Sequence, residues 1–343
     1  MDLDPTDRPL LLGIEIGGTK LQVGLGRRDG TLLDLERVSV GPVRTAAEVR
    51  AKILDATARL IGRAGIAATD LAAVGIGFGG PVDADGGVVL LSNQIPGWAD
   101  FPLAEWTRST FGVRRVALEN DAATAALGEA RSGAGVGFDP VLYLTIGSGI
   151  GGGLIVGGSI YRGSGRGAIE IGHLLVEDLG PASATGDSPP PKTLEQVASG
   201  WSIAREGQRL IAGADADGMG SGPLRRLCQG EAVRVTAPMV ATAAVEGDPG
   251  ALQILARAWT ALGQALAHAV TLLAPRRVIL GGGVSLIGDD HWFAPIRAEV
   301  DRRVFPPFRG SYDIVPAGLG EAVVVHGALA LALDARRLDE DAF

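Results

Sequence analysis

The sequence predicts an α/β protein made of two lobes with a duplicated core. Its 343 residues exceed the size at which one hydrophobic core usually stops growing, so two lobes with a cleft between them are expected. Two Gly-rich stretches resemble each other at an offset of about 130 residues, and each predicts three strands joined by tight turns. They are LLLGIEIGGTKLQVGLGRRDGTLL near the start and VLYLTIGSGIGGGLIVGGSIYRG after Pro140. Strands alternate with helices in the rest of the chain, which is typical of α/β layers.

The segment between the two repeats alternates helix and strand. A helical apolar period begins after Thr45, whose spacing to Glu48 predicts a capping box, and it ends at Gly65. Its apolar positions are Val49, Ile53, Ala56 and Leu60. The run LAAVGIGFGG then predicts a buried strand. A helix is expected over 103–111, and the strand VRRVALEN leads into an Ala-rich helix from Ala122.

The second half continues this alternation after its own hairpins. The stretch GPASATGDSPPPKT predicts only loop, and helices are expected at roughly 193–210 and 238–247. A long helix starts at Asp248-Pro249 and ends before Pro275. The strand RRVILGGG, a helix, a strand near Ile314 and a closing helix follow. The expected ranges are 9–119 for the N-terminal lobe, 320–336 for the closing helix packed back on it, and 120–319 for the C-terminal lobe.

Composition excludes several classes of protein. The formal net charge is -8 and the pI is about 5.1, so the chain lacks the positive field that recruits nucleic acid or anionic lipid. The single cysteine, Cys228, excludes an intramolecular disulfide and a multi-cysteine metal site. The polar start MDLDPTDRPL predicts neither a secretory signal nor a transit peptide, and 251–274 predicts a buried amphipathic helix. A soluble, cytoplasmic protein is therefore expected.

Two turns have the composition of anion-binding loops. Glycines that can adopt positive φ let consecutive backbone N–H groups converge on an anion. The first turn, after Glu15, contains Gly17, Gly18, Thr19 and Lys20, and the second contains Gly147, Ser148 and Gly149. Either turn alone could be an ordinary hairpin. Two copies on duplicated lobes could grip one triphosphate from both sides.

Asp121 is the candidate general base. It follows Asn120 at the point where a strand ends and a helix begins, so the simplest interpretation of Asp121 is a helix N-cap. Its place between two anion loops, at a strand end where α/β ligand sites gather, favours a chemical role as well.

Polar residues after the second repeat could form a pocket that hydrogen-bonds sugar hydroxyls. Glu170 and His173 lie three residues apart, and Glu195 follows. Each of them alone is more often structural or solvated. The strand VILGGGVS, which contains Gly282 and Gly283, is nonspecific as a bare pattern but is a candidate for nucleotide binding in this company.

Together these segments resemble the ROK family of sugar kinases and related repressors, from about Leu10 to Leu333. GIEIGGTK and TIGSGIGGG resemble its two phosphate loops, GFGGPVD with LLSNQIPGW its sugar-side segment, and ENDAATAALGE the stretch with its catalytic aspartate. AIEIGH resembles its sugar-binding motif and VILGGGVS its adenosine motif. The resemblance implies the two-lobed actin-like ATPase (ribonuclease H-like) fold of the actin, Hsp70 and hexokinase superfamily. That fold has a duplicated βββαβαβα core and an interlobe cleft.

Carried over residue by residue, the resemblance makes Asp121 the base. The implied sugar contacts are Gly80, Asn93, Asn120, Asp121, Glu170, His173 and Glu195. The implied nucleotide contacts are Gly17, Gly18, Thr19, Lys20, Gly147, Ser148, Gly149, Gly282 and Gly283. Glu15 stands where the family usually has an aspartate that helps hold magnesium, and its longer side chain could act through water.

The implied activity is transfer of the terminal phosphoryl group of ATP, with Mg²⁺, to a hexose, glucose first. Mannose, fructose, N-acetylmannosamine and N-acetylglucosamine stay open as acceptors, and polyphosphate as donor, although the overall acidity argues against it. A sugar-sensing regulator would need a helix-turn-helix, for which the roughly ten residues before the first strand are too few. A degenerate, inactive fold is a further alternative, hinted at only by Glu15. The family also implies a homodimer.

We predict that the protein binds no structural zinc. Many ROK members carry Cys-x-Cys-Gly-x-x-Gly-Cys between the Gly-His motif and the sugar-binding Glu, whereas residues 173–195 contain no cysteine and only His173. A closed zinc site needs four ligands drawn mainly from Cys and His. Activity should therefore survive zinc chelation once magnesium is restored. Stoichiometric zinc found by elemental analysis of tag-free protein, and lost together with activity, would contradict this.

Overall fold

The structure is a computed structural model that describes residues 10–18, 20–41, 45–92, 95–164, 167–177, 191–217 and 222–340. The strands of the first half are β1 (Leu10–Ile16), β2 (Lys20–Gly26), β3 (Leu32–Ser39), β4 (Leu71–Phe78), β5 (Val82–Asp83), β6 (Val88–Val89) and β7 (Arg115–Asn120). Those of the second half are β8 (Val141–Ile146), β9 (Ile150–Val156), β10 (Ser159–Ile160), β11 (Leu175–Val176), β12 (Lys192–Thr193), β13 (Arg277–Gly281) and β14 (Asp313–Pro316). The helices are α1 (Ala46–Ala64), α2 (Leu103–Phe111), α3 (Asp121–Ser132), α4 (Leu194–Ala198), α5 (Gly200–Asp217), α6 (Pro223–Leu227), α7 (Ala237–Val245), α8 (Pro249–Leu273), α9 (Ala294–Arg303) and α10 (Val323–Glu340).

Within the described residues, two five-stranded sheets repeat one strand order. The first sheet runs β3-β2-β1-β4-β7 and the second runs β10-β9-β8-β13-β14. In the first sheet β1, β2 and β3 are antiparallel hairpin strands, whereas β4 and β7 run parallel to β1. In the second sheet, the early strands β10, β9 and β8 take the places of β3, β2 and β1, and β13 and β14 take those of β4 and β7. β13 and β14 are parallel to each other. The duplicated core predicted from the two Gly-rich repeats is therefore confirmed.

The chain divides into two compact units. The first contains Met1–Tyr143, Gly153–Ala168 and Gly318–Phe343, and the second contains Leu144–Gly152 and Ile169–Ala317. The closing helix α10 belongs to the unit of the N-terminal strands. The stretches 120–143 and 153–168 also fall in the first unit, whereas the expected boundary lay at residue 119. α3 falls in the first unit because it packs closely on α10.

Glycines bring α3 and α10 into close contact. A Cβ atom on Gly327 would lie 1.8 Å from the carbonyl oxygen of Thr124, and one on Gly128 would lie 2.6 Å from the carbonyl oxygen of Val323. Atoms cannot approach so closely, so only residues without a side chain fit here. The two helices consequently hold each other at a fixed depth.

Glu129 fastens the end of α3 to the segment that leads into α10. This carboxylate is fully buried, and it accepts the N–H group of Ala134 at 2.7 Å and those of Gly318 and Leu319 at 2.9 Å. Burying a carboxylate is costly unless hydrogen bonds compensate, and here backbone donors supply them.

α10 crosses the first sheet along a stripe of glycines. Gly24, Gly13 and Gly75 are neighbours across β2, β1 and β4. A Cβ atom on Gly75 would lie 1.8 Å from the carbonyl oxygen of Ala328, and one on Gly24 would lie 2.3 Å from the side chain of Val325. The missing side chains let the helix backbone approach the sheet to a distance that other residues would prevent. We call these three residues the glycine stripe.

α1 contributes to a second hydrophobic core of the first unit. Its four predicted apolar positions are fully buried in one cluster with residues of β1, β2 and β4. Thr45 caps the helix by accepting the N–H group of Glu48 at 3.3 Å, and Gly65 ends it with φ 64°. The predicted start, stop and buried face are confirmed.

The helix expected at 193–210 is broken in two. α4 ends at Ala198, Ser199 has extended backbone, and α5 begins at Gly200. The Ser199 hydroxyl accepts the N–H group of Ser202 at 3.2 Å, so it satisfies a donor of the new helix start. The apolar period continues across the break, which is why the sequence pattern did not reveal it. The short helix α6 was not predicted either.

The long helix α8 agrees with its prediction. Asp248 caps it, accepting the N–H groups of Gly250 and Ala251 at 3.0 and 3.1 Å, and the helix ends at Leu273. Buried residues recur along its length. Among the described residues, no helix combines the length and the apolarity that a membrane crossing requires.

We predict that Gly75→Ala lowers the free energy of unfolding by at least about 1–3 kcal/mol, because the added methyl group would overlap the backbone of α10. Gly62→Ala is the matched control, since a Cβ atom at this position in α1 meets no described heavy atom within 4 Å. The control should stabilise the protein by roughly 0.5–1 kcal/mol. Chemical unfolding of both variants measures the contrast. Equal stabilities would show that the glycine stripe does not constrain the packing.

Candidate active site

Asp121 is the first residue of α3, directly after β7. The N-cap is Asn120 and not Asp121 as predicted, because Asn120 Oδ1 accepts the N–H groups of Ala122 at 2.9 Å and Ala123 at 3.3 Å. Asn120 also has the extended backbone of a cap, with φ -62° and ψ 146°. Asn and Asp cap equally well, so the sequence alone could not decide between neighbours. Capping of α3 therefore does not depend on the Asp121 side chain.

The Asp121 carboxylate lies at the carboxyl ends of the central strands. Its Oδ1 accepts the N–H group of Ala122 at 2.8 Å, and its Oδ2 is 3.3 Å from where a Cβ atom on Gly79 would lie. The N–H group of Gly79 in turn donates to the carbonyl of Ile16 at 2.8 Å. β1, β4 and β7 are parallel and end together here, which is the edge where α/β proteins bind ligands. The N-terminal end of α3 favours the negative charge.

Asn120 and Gly80, two predicted sugar contacts, are joined directly. Asn120 Nδ2 donates to the carbonyl of Gly80 at 3.2 Å. A Cβ atom on Gly80 would lie 3.0 Å from both the carbonyl oxygen of Leu91 and the ring of Phe78. Gly80 is therefore required for its small size, and both polar ends of the Asn120 amide have protein partners.

Glu119 is part of this site and the sequence interpretation missed it. Its side chain is nearly buried, with Oε1 accepting the N–H group of Asn120 at 3.0 Å and Oε2 accepting Arg162 Nε at 2.7 Å. A buried carboxylate needs such a partner to offset its desolvation. No local pattern could have revealed the pair, because folding brings residues 119 and 162 together.

The first Gly-rich turn closes as a tight hairpin. The N–H group of Gly17 donates to the carbonyl of Lys20 at 3.0 Å, and a Cβ atom on Gly17 would lie 3.1 Å from that oxygen. The φ angle of Gly17 is not positive. One of the N–H groups predicted to bind an anion therefore closes the turn itself, and Gly18 follows in a bend.

Glu15 is buried at the end of β1 between two donors. Gln22 Nε2 donates to its Oε2, and Lys20 Nζ lies 3.2 Å from its Oε1. Gln22 and Lys20 also donate to the carbonyl of Glu321, at 2.7 and 3.1 Å. Burial raises the pKa of the Glu15 carboxyl, and the Lys20 ammonium and the Gln22 amide offset only part of that rise. Lys20, a predicted nucleotide contact, is thus already paired with a carboxylate.

In the second unit, the second Gly-rich turn holds Glu195. Glu195 Oε2 accepts the N–H group of Ile150 at 2.8 Å, and a Cβ atom on Gly149 would lie 2.3 Å from the same oxygen. Gly147 closes the turn through its N–H group, which donates to the carbonyl of Gly149 at 2.9 Å. Neither glycine has positive φ, so Gly149 is needed for its missing side chain. Ser148 is exposed between them.

Two other segments of the second unit pack their backbones against this turn and its strand. Gly282 has φ 85°, and a Cβ atom on it would lie 2.5 Å from the carbonyl group of Ile146. Gly200 donates its N–H group to the carbonyl of Gly147 at 2.8 Å. At Gly283 a Cβ atom would meet no described heavy atom within 4 Å. The sequence indicated Gly282 and Gly283, but it missed Gly200 because the helix break was not recognised.

The predicted sugar contacts of the second unit lie beyond one short ladder. β11 and β12 are antiparallel, and the N–H group of Leu194 donates to the carbonyl of Leu174 at 2.8 Å. His173 and Glu195 are the next residues on the two sides of this ladder. Glu170 lies three residues before His173, and the Glu170 carbonyl accepts the N–H group of His173 at 3.0 Å. Glu170 and His173 are exposed, so the fold brings these three polar residues to one end of the ladder.

Two predicted contacts, Thr19 and Asn93, lie outside the described residues. The same holds for 178–190, within the interval where zinc ligands were sought. Over the part of the chain that the structure describes, no three His, Cys, Asp or Glu side chains form a group that could hold a metal ion. Cys228 is buried.

Comparison with known proteins matches residues 11–335 to the ROK family. A glucokinase of Thermotoga maritima is 32% identical over 331 residues, which cover 94% of this chain and 96% of that protein. A kanosamine kinase of Amycolatopsis mediterranei is 32% identical over 329 residues, which again cover 94% of this chain and 96% of the relative.

A solved structure has the same architecture. It is a ROK family glucokinase from Streptomyces griseus in complex with glucose and AMPPNP, 32% identical, with a TM-score of 0.76. The match covers 95% of this chain and 99% of that chain. The two repeated sheets are therefore those of the actin-like ATPase fold, as the sequence resemblance implied.

We predict that Glu15 makes the folded chain less stable as the pH rises. Its folded-state pKa lies above the ordinary 4.5, so between these two values the folded chain binds more protons than the unfolded chain. The free energy of unfolding then falls with rising pH across that interval and stays lowered above it. Urea unfolding at a series of pH values should show this fall in the wild type relative to Glu15→Gln.

The control for this measurement is Glu105→Gln, at a largely exposed side chain of α2. It should follow the wild type at every pH. A Glu15→Gln variant whose stability runs parallel to the wild type would show that Glu15 titrates normally.

Proposed function

The chain belongs to the ROK family, and from that membership we propose that it transfers the terminal phosphoryl group of ATP to the 6-hydroxyl of glucose. The chain is an ATP-dependent hexose kinase, in keeping with its similarity to glucokinases over nearly the full length of both proteins. Glucose as the preferred acceptor, its 6-hydroxyl as the attacking group and the individual residue roles are the proposal. A cytoplasmic location and a homodimer belong to it as well.

The observation that carries the proposed mechanism is the position of the Asp121 carboxylate. It lies at the carboxyl ends of β1, β4 and β7, next to Gly79 and held by the N–H group of Ala122. Asp121 accepts the proton of the sugar hydroxyl as the hydroxyl oxygen forms its bond to the terminal phosphorus. The bond from that phosphorus to the bridging oxygen breaks, and ADP leaves with the electron pair.

Asn120 fixes the position of the proposed base, Asp121. Its cap on Ala122 and Ala123 fixes the first turn of α3, and its bond to Gly80 ties that turn to the end of β4. A base displaced by a fraction of an ångström transfers the proton less efficiently. The proposed sugar contacts of this unit, apart from Asp121 itself, are Gly80, Asn93 and Asn120.

Backbone groups of the two Gly-rich turns bind the nucleotide in this proposal. The first unit contributes Gly17, Gly18, Thr19 and Lys20, and the second contributes Gly147, Ser148, Gly149, Gly282 and Gly283. Turns without side chains let phosphate oxygens approach backbone N–H groups closely, which supports the assignment. The closed hairpins leave fewer such groups than the sequence pattern suggested.

Glu15 could contact, through water, a magnesium ion that the triphosphate holds. Each of its oxygens already accepts one hydrogen bond, from Lys20 or Gln22. A carboxylate oxygen has two lone pairs, so Glu15 can still receive a metal-bound water. Mg²⁺ usually keeps several waters when it binds phosphates, and it would neutralise charge on the transferring group.

Glu170, His173 and Glu195 recognise the sugar in the second unit. Two carboxylates and an imidazole offer acceptors and a donor for hydroxyl groups. The ladder that brings His173 beside Glu195 supports their joint role. Glu195 is the most firmly held of the three, because Ile150 donates to it.

A phosphorylation assay of the purified chain tests the proposal. ADP release with Mg²⁺ and ATP is measured on glucose, mannose, fructose, N-acetylmannosamine and N-acetylglucosamine. Kanosamine is added because a kanosamine kinase is 32% identical. Nuclear magnetic resonance of the product identifies the phosphorylated hydroxyl, and polyphosphate replaces ATP in a parallel series. A higher kcat/KM for another acceptor would show that glucose is not the preferred acceptor. Absence of sugar-dependent ADP release would contradict the hexose kinase activity.

We predict that Asp121→Asn lowers kcat by about 10² to 10⁴, the usual contribution of a general base. An asparagine can keep the hydrogen bond to Ala122, so the fold and the glucose dissociation constant should change little. Asp55→Asn, at an exposed position of α1, is the control and should be fully active. Turnover of Asp121→Asn within a few-fold of the wild type would rule out the base.

A further inference from the structure

Trp201 is a large aromatic side chain left in solvent at the start of α5. Its indole is 64% exposed, whereas Trp98 and Trp292 are fully buried. An exposed indole gives up the hydrophobic stabilisation that burial would provide. A single exposed hydrophobic side chain is ordinary on a protein surface, so the surroundings of Trp201 decide whether it has a role.

The backbone of Trp201 is fixed to the second Gly-rich turn. Its N–H group donates to the carbonyl of Ser148 at 3.3 Å, and that of Gly200 donates to the carbonyl of Gly147 at 2.8 Å. A Cβ atom on Gly200 would lie 2.7 Å from the Gly147 oxygen and 3.5 Å from the side chain of Val284. The two hydrogen bonds therefore hold the start of α5 against the turn, and the short distances leave no space for a side chain at residue 200.

A cation lies on the same helix face as the indole, and the segment that contains Val284 exposes a second apolar side chain. Arg205 lies four residues after Trp201, on the same face of α5, and is exposed with its guanidinium 3.3 Å from the Ser202 hydroxyl. Leu286, two residues beyond Val284, is 83% exposed. A flat apolar surface beside a cation suits a ligand that is both aromatic and anionic. A purine nucleotide has that chemistry.

We propose that Trp201 is the stacking platform for the adenine ring of ATP and that it selects nucleotide over phosphate donors that lack a base. The proposal rests on the proposed function, in which Gly147–Gly149 and Gly282–Gly283 bind the same nucleotide. Stacking on an indole adds affinity without reading the hydrogen-bonding edge of the base. Trp201 therefore sets affinity for the nucleotide and leaves the sugar to other residues.

Nucleotide binding to the full chain tests the platform directly. Calorimetry with AMPPNP and with inorganic tripolyphosphate is compared for wild type, Trp201→Phe and Trp201→Ala. Loss of base stacking should weaken AMPPNP about tenfold or more in Trp201→Ala, and by only a few-fold in Trp201→Phe, which keeps a ring. Tripolyphosphate should bind all three equally. Intrinsic fluorescence should change on AMPPNP binding in the wild type and lose most of that change in Trp201→Phe.

Phe305→Ala is the matched control, since Phe305 is another exposed aromatic of the second unit, 55% exposed. It should bind AMPPNP like the wild type. AMPPNP affinity unchanged in Trp201→Ala, equal losses for AMPPNP and tripolyphosphate, or a raised glucose KM at constant ATP KM would each overturn the platform. The binding assay does not require turnover. A wild type that binds AMPPNP through Trp201 but phosphorylates no hexose would overturn the proposed function alone.

Discussion

The first unit depends on one steric constraint, the absence of Cβ atoms along the glycine stripe. Gly75 leaves room for the Ala328 carbonyl, because the Cβ atom of any other residue would lie 1.8 Å from the carbonyl oxygen. Sheets and helices usually pack through interdigitating side chains, but here backbone meets backbone. The depth of α10 on the sheet is therefore set by main-chain atoms, which cannot adapt by changing rotamer.

The position of the proposed base, Asp121, depends on this constraint. α3 rests on α10 through Gly327 and Thr124, so the height of α3 above the sheet follows from that of α10. The N-terminal turn of α3 carries Asp121, and the Gln22 and Lys20 bonds to the Glu321 carbonyl link Glu15 to the segment before α10. The carboxylates of Glu15, in β1, and Asp121, in α3, are thus both placed with reference to α10.

The sequence predicted most of the fold and only part of the site. The features that predict the hairpins, α1 and α8 are local: the period of the apolar residues, the helix caps and the turn residues. The break at Ser199 and the cap at Asn120 were not predicted, because neighbouring residues could serve either state equally well. The pairing of Glu119 with Arg162 and the contact of Gly149 with Glu195 join distant segments. No single sequence encodes such pairs in a pattern that can be read before folding.

The closing position of α10 also governs the order in which the chain can finish folding. The strands that carry the glycine stripe are translated well before the helix that covers them, since translation adds roughly 5–20 residues per second. Until then Leu11 and Ala73, which pack with Val325 and Leu329 in the finished unit, have no helix to bury them. Closure must also span nearly the whole chain, which slows it. The first unit is consequently completed only after α10 has emerged from the ribosome.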